Sequence, residues 1–197
     1  MREVRRRFSR ELSRAAPDDV LEIAFELLER YGHRFVACEL ICYHRGALSR
    51  VRRVHLERLG KGLDSWSSVD SFATLVAGRV WRAEQVPDRL IHRWACSQDR
   101  GWRRAALVCT VPLNVKSQGG DGDADRTLAV CRLVVEDRDD MVEKGLSWAL
   151  RELAIRDARS VRRFLREHRA KLAARVLREV RNKLDTGLKN PRKSETR

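Results

Sequence analysis

Apolar residues recur along this chain every three to four positions, and no stretch alternates apolar with polar side chains between turn signals. That pattern predicts an all-α fold. After a basic helix over residues 1–14, Pro17-Asp18-Asp19 makes a turn and an acidic N-cap. The helix it opens carries Val20, Ile23, Ala24, Leu27, Leu28 and Tyr31, and Gly32 ends it. A second apolar helix carries Phe35, Val36, Cys38, Leu40, Ile41 and Cys42. After Gly46, one basic amphipathic segment sets Val51, Val54, Leu56 and Leu59 among arginines, until Gly60 and Gly62 close it.

Asp64 or Ser65 caps the next helix, which runs from Trp66 through Val76 with Gly78 as its stop; Val80 and Trp81 fall in a connector. Pro87-Asp88 starts a helix with Leu90, Ile91 and Trp94. Ser97-Gln98-Asp99 caps another, from Arg100 to about Leu113, and Pro112 marks its end. Residues 114–125, rich in Gly and Asp, read as a flexible loop. A helix through Leu128 and Val135 follows, then a long one capped by Asp139-Asp140, and two more around Phe164 and Val180.

Two of these stretches echo each other. Asp99 to Leu107 and Asp139 to Leu146 each run from an acidic cap through a basic residue to small and apolar ones. Their offset of about 40 residues lies within the HEAT-like period. Helix pairs stacked at that period form a curved α-solenoid with a concave binding surface. The expected organisation is one HEAT-like α-helical domain over 1–189, followed by a disordered basic tail, 190–197.

Charge narrows the partner. The formal net charge is +14, and only seven of the 42 basic residues are Lys. The planar guanidinium fork suits phosphate oxygens, and the excess is spread along the chain instead of being confined to a tail. Nucleic acid explains this better than solvated helix faces do. The cysteines (Cys38, Cys42, Cys96, Cys109 and Cys131) form no CxxC pair and have no His at ligand spacing. They read as free thiols in a reducing compartment, not as a zinc or disulfide framework. The five histidines show no triad, and no Walker-type phosphate loop is present. The basic start lacks a signal peptide's apolar run, and no stretch approaches the ~20 apolar residues of a membrane span. A soluble, cytoplasmic monomer is expected.

One short stretch carries potential chemistry. In Ser65-Trp66-Ser67-Ser68-Val69-Asp70 an indole and a carboxylate stand four residues apart, on one face of the predicted helix. On so basic a chain, that pair is a place to hold or stabilise a cation. It is also compatible with a helix start whose Trp packs in the core and whose Asp faces solvent or a nearby Arg.

Three segments in order, Ser65 to Asp70, Trp102-Arg103-Arg104-Ala105-Ala106 and Lys144-Gly145-Leu146-Ser147-Trp148-Ala149-Leu150-Arg151-Glu152, resemble the AlkD-type DNA alkylation repair family. These are DNA glycosylases built from HEAT-like repeats, and the likeness spans roughly residues 35–185. The resemblance implies removal of cationic N3- or N7-alkylated purines from double-stranded DNA, without metal or organic cofactor. It places the family's catalytic Asp on Asp70 and its two sugar-contacting Trp residues on Trp66 and Trp148. Its phosphate-gripping arginines fall on Arg104 and Arg151, with Arg103 and Lys144 beside them as further DNA contacts. The chain departs from the pattern in Ser67 and Ser68, in a shorter N-terminal region and in the Gly/Asp loop at 117–125. The alternative from another class is a non-catalytic HEAT-like module that binds nucleic acid through its arginines. A protein-interaction scaffold ranks behind both.

Overall fold

Caps and prolines place most helix starts where the sequence marks them. In a computed structural model, which describes residues 7–8 and 10–191, α1 (Pro17–Glu29) has Pro17 in its first turn with Asp18 and Asp19 behind it. The N-cap is Ala16, so the acids act on the positive end of the helix dipole and do not cap it. Residues 7, 8, 10 and 11 are helical and Leu12–Arg14 forms a 3-10 turn. The remainder of the expected N-terminal helix and the end of the tail, 192–197, lie outside the described residues.

α2 (Arg34–Tyr43) follows Gly32, whose φ of 70° needs glycine. The basic segment after it is two helices instead of one, α3 (Arg45–Arg50) and α4 (Arg53–Leu59), and Gly46 lies inside the first. The chain turns extended at Val51 and Arg52. A residue from far along the chain supports that break. The Gln85 amide donates to the carbonyls of Leu48, Ser49 and Val51 at 3.0–3.2 Å, and Arg52 Nη1 donates to those of Ser49 and Val51 as well.

α5 (Trp66–Ser71) starts on a reciprocal cap: Ser65 Oγ accepts from the Ser68 amide, and Ser68 Oγ accepts from the Ser65 amide. Gly78 does not stop this helix. The chain continues through a π-helical segment, Phe72–Ala77, into α6 (Gly78–Arg82), which buries Val80 and Trp81. A Cβ on Gly78 would lie 2.6 Å from the Cys109 carbonyl oxygen, so glycine here serves close packing between helices. α7 (Asp88–Ala95) and α8 (Arg100–Val108) come next. Pro112 begins a separate short helix, α9 (Val111–Asn114), and does not end α8; the first turn is where a missing N–H costs nothing.

The Gly/Asp loop is tied at both ends. Asn114 Oδ1 accepts from the Asp123 amide, Asn114 Nδ2 donates to Thr127, and Arg82 reaches the carbonyls of Pro112 and Gln118. Asp123, Asp139 and Asp157 then cap α10 (Ala124–Leu133), α11 (Asp140–Arg156) and α12 (Ala158–Glu167), and α13 (Ala174–Thr186) closes the described chain.

The described residues form helices and no strands. α2, α5, α8, α11 and α13 pack side by side in chain order. α7 and α10 touch each other and lie on α8 and α11, α1 packs on α2, and α12 packs on α11. Phe72, Trp81, Leu107, Leu146, Leu150 and Phe164 fill the space between them. The rings of Trp94 and Trp102 meet at 4.8 Å and both pack near Phe72. Burial pushes the Cys38 thiol up to about 12 and raises Cys109 and Cys131 as well, while Cys96 is exposed. No helix among the described residues is long and apolar enough to cross a membrane.

Candidate DNA-facing site

The cap at Ser65 sets the phase of α5, and one turn of helix then presents Trp66 and Asp70 on the same side. Trp66 is 47% exposed, an unusual state for so large an apolar ring. Asp70 reaches across to α8, where Arg104 donates Nε to Oδ1 and Nη2 to Oδ2, each at 2.9 Å. The third arm of the fork, Nη1, donates to the Met141 carbonyl at 2.7 Å on α11. Three helices are thereby pinned by one guanidinium, which is buried. Gly145 makes room for it: a Cβ there would stand 3.3 Å from Leu107 and 3.5 Å from the Arg104 side chain.

Two cations attend the Trp66 ring. The guanidinium carbon of Arg104 is 5.3 Å from its centroid, and Lys144 Nζ is 4.1 Å from it. Lys144 also bonds Asp140 at 2.7 Å. Together Lys144 first and Arg175 second hold the Asp140 carboxyl below the ordinary carboxylate range.

Trp148 and Arg151 stand one and two turns beyond Lys144 on α11. Trp148 is partly buried, and its indole N–H donates to Glu152 Oε1 at 3.0 Å. Arg151 is half-buried, with Nε donating to Ser147 Oγ at 3.2 Å. Ser147, fully buried, donates in turn to Glu179 Oε2 at 2.6 Å, a buried carboxylate from α13 that also lies 3.4 Å from Lys189 Nζ. Desolvation pulls the Arg151 guanidinium below its usual value, and the charges of Glu179 and Glu152 push back.

The expected set is thus partly assembled. Trp66, Asp70, Arg104 and Lys144 form one cluster, and α11 carries Trp148 and Arg151 from the same helix as Lys144. Arg104, expected to grip phosphate, and Arg103, expected as a further DNA contact, both turn inward. Arg103 donates to Asp137 at 2.6 Å and to the carbonyls of Ser97 and Gln98, which locks the turn before α8. Next to the cluster, Ser67 and Ser71 line a cavity of about 510 Å³ with Arg34 and Phe35. Among the described residues no group of His, Cys, Asp and Glu is arranged to hold a metal ion.

Gly145 and Glu152 belong to the Lys144–Glu152 segment without a role of their own expected from the sequence, and Glu179 has none either. Glu152 sits one turn from Trp148, so helical spacing alone could have paired them. Glu179 has no such local signal, since only the packing of α13 on α11 brings it to Ser147.

A family model described as DNA alkylation repair enzyme matches residues 1–184. The chain belongs to that family. The alkylation repair family gives the protein a role in repairing alkylated DNA, with DNA as its partner, and it is the family that the Trp66/Asp70, Trp102–Ala106 and Lys144–Glu152 segments resemble. No curated protein and no solved structure matches the chain.

Proposed function

We propose that this member of the alkylation repair family is a DNA glycosylase that excises cationic N3- and N7-alkylated purines, on a HEAT-like solenoid whose DNA-facing row is α5, α8 and α11. The observation that carries the reading is the Trp66–Asp70 pair on the surface, with its carboxylate aimed by a buried Arg104. An alkylated purine is already a good leaving group. As its glycosidic bond breaks, the electron pair goes to the base, which becomes neutral, and the sugar takes on oxocarbenium character. Water then adds at the anomeric carbon and loses a proton.

Asp70 supplies the negative charge for that cation and orients the water. Preorganised electrostatics of this kind are worth ~3–4 kcal/mol, a few hundred-fold in rate. Trp66 and Trp148 hold the sugar by face contacts and add ~0.5–2 kcal/mol through attraction of the cation. Arg104 is a positioning residue for Asp70, and phosphate contact falls to Lys144 and Arg151, whose charges lie nearer the surface. No metal or organic cofactor enters this chemistry.

Release of 7-methylguanine or 3-methyladenine from methylated duplex DNA tests the reading. Wild type releases base and Asp70→Asn is slower by about two orders of magnitude. No release by wild type, or equal rates from both, overturns it. The second reading, a non-catalytic nucleic-acid module, is favoured by the completeness of the Asp70–Arg104 pair, since a carboxylate so engaged has a structural reason to exist. It calls for salt-dependent binding of undamaged DNA with no base release at any pH.

A further inference from the structure

We propose that the groove between α12 and α13 is a second, separate anion site, one that takes the phosphodiester backbone of duplex DNA. It is a shallow cavity of about 200 Å³ floored by Leu165 and Leu184 and ringed by Arg162, Arg166, Arg169 and Arg181. The nearest acids are already engaged. Asp185 accepts from both terminal nitrogens of Arg162 at 3.1 Å, and Glu167 pairs with Arg163 at 3.9 Å. Arg166, Arg169 and Arg181, all exposed, have no acidic partner among the described residues.

Some exposed arginines elsewhere are matched to acids, as in Arg30–Glu26, Arg50–Asp18, Arg53–Glu57 and Arg58–Glu29, and others, such as Arg45, Arg89 and Arg132, are not; what sets this place apart is four arginines around one cavity. Arg162 and Arg166 stand four apart on α12, where like charges repel, and Arg169 follows in the turn just after that helix. The negative end of α12 offsets part of this for Arg166 and Arg169, but Arg181 comes from the middle of α13 and has no such compensation. Three guanidinium forks, from α12, the turn after it and α13, over a floor of leucine suit an extended ligand with successive phosphates and no apolar demand of its own. α13 is the neighbour of α11 in the helix row, so the groove lies at the end of that row beyond Arg151. The site rests on DNA being the partner, and not on base excision.

The experiment uses the full chain and undamaged, labelled duplexes of about 10 and about 30 base pairs, with binding measured across a salt series. The variant Arg166→Gln/Arg169→Gln/Arg181→Gln is compared with Arg30→Gln/Arg50→Gln/Arg53→Gln, which removes the same charge from arginines that have acidic partners. On the long duplex, the slope of log K against log salt falls by about 2–3 for the groove variant and by less than about 1 for the control. On the short duplex both match wild type. Equal slopes for the two variants on the long duplex overturn the proposal. So does competition by inorganic phosphate, at matched ionic strength, that erases the difference, since it marks a small-anion site. Arg181→Glu alone repeats the measurement if the triple variant folds poorly. Base release from a methylated duplex of the same short length is followed in parallel. Its absence in wild type retires the glycosylase reading and leaves the salt slopes to judge the groove.

Discussion

Arg104 and Asp70 meet fork to fork at 2.9 Å, yet they sit in different surroundings: the Arg104 side chain is 4% exposed and that of Asp70 is 29%. A buried cation therefore holds a carboxylate at the surface. The asymmetry predicts unequal costs. Arg104→Met leaves Asp70 able to recover water and lowers stability by about 3 kcal/mol. Asp70→Ala strands a buried guanidinium and costs more. Urea unfolding of both variants checks the order, and a larger loss for Arg104→Met contradicts it.

Gly145 predicts a link between a backbone position and the site. Gly145→Ala gains helix propensity against a tight contact with Leu107 and stays within about 1 kcal/mol of wild type. Gly145→Leu has no room beside Arg104, loses about 2–3 kcal/mol and separates Arg104 from Asp70. Thermal unfolding measures the first effect. Base release that falls for Gly145→Leu in the manner of Asp70→Asn reports the second.

The helical fold was legible because it depends on local order. Ser65, Asp99 and Asp139 cap where their sequence neighbours say, and the apolar period of α1, α2 and α11 is unbroken. The errors share a cause in distant contacts. Gly78 looks like a helix stop until Cys109 is seen pressed against it, and the carbonyls at the break near Val51 are shared between neighbouring Arg52 and distant Gln85. The site was legible as residue types and less so as roles. Trp66 and Asp70 declare themselves by spacing, but nothing in Trp102-Arg103-Arg104 reveals that both arginines face inward.

The chain of hydrogen bonds from Glu179 through Ser147 to Arg151 has one donor direction, since the hydroxyl gives its proton to the carboxylate and accepts from Arg151. Ser147→Ala and Glu179→Gln each loosen Arg151 and weaken DNA binding about five-fold, the worth of about 1 kcal/mol. In an Arg151→Ala background neither change has a further effect. Fluorescence anisotropy on the two double-mutant cycles, one through each change, tests this, and full additivity in both rules it out.

His55 predicts a pH dependence of stability. Its Nδ1 accepts from the Arg52 amide at 3.0 Å and its ring lies 5.9 Å from that of Phe25, so burial, with Arg52 and Arg58 nearby, lowers its pKa below 6.5. The unfolded chain then binds the proton more readily than the folded one. The contribution is complete above pH 6.5 and is lost as pH falls through the lower folded value. Melting temperature declines over that window in wild type and declines less in His55→Asn.

The π-helical turns of Phe72–Ala77 act as a phase adjuster. A widened i→i+5 turn advances less per residue than an α-turn, so six such residues set the helix back by roughly one residue of rotation. Upstream, the face is indexed to Trp66 and Asp70; downstream, it is indexed to Val80 and Trp81 in the core. The two ends of one continuous rod are thus timed separately. Removing a single residue from the segment restores a uniform screw and forces a choice, because only one end can then keep its side chains where the fold uses them.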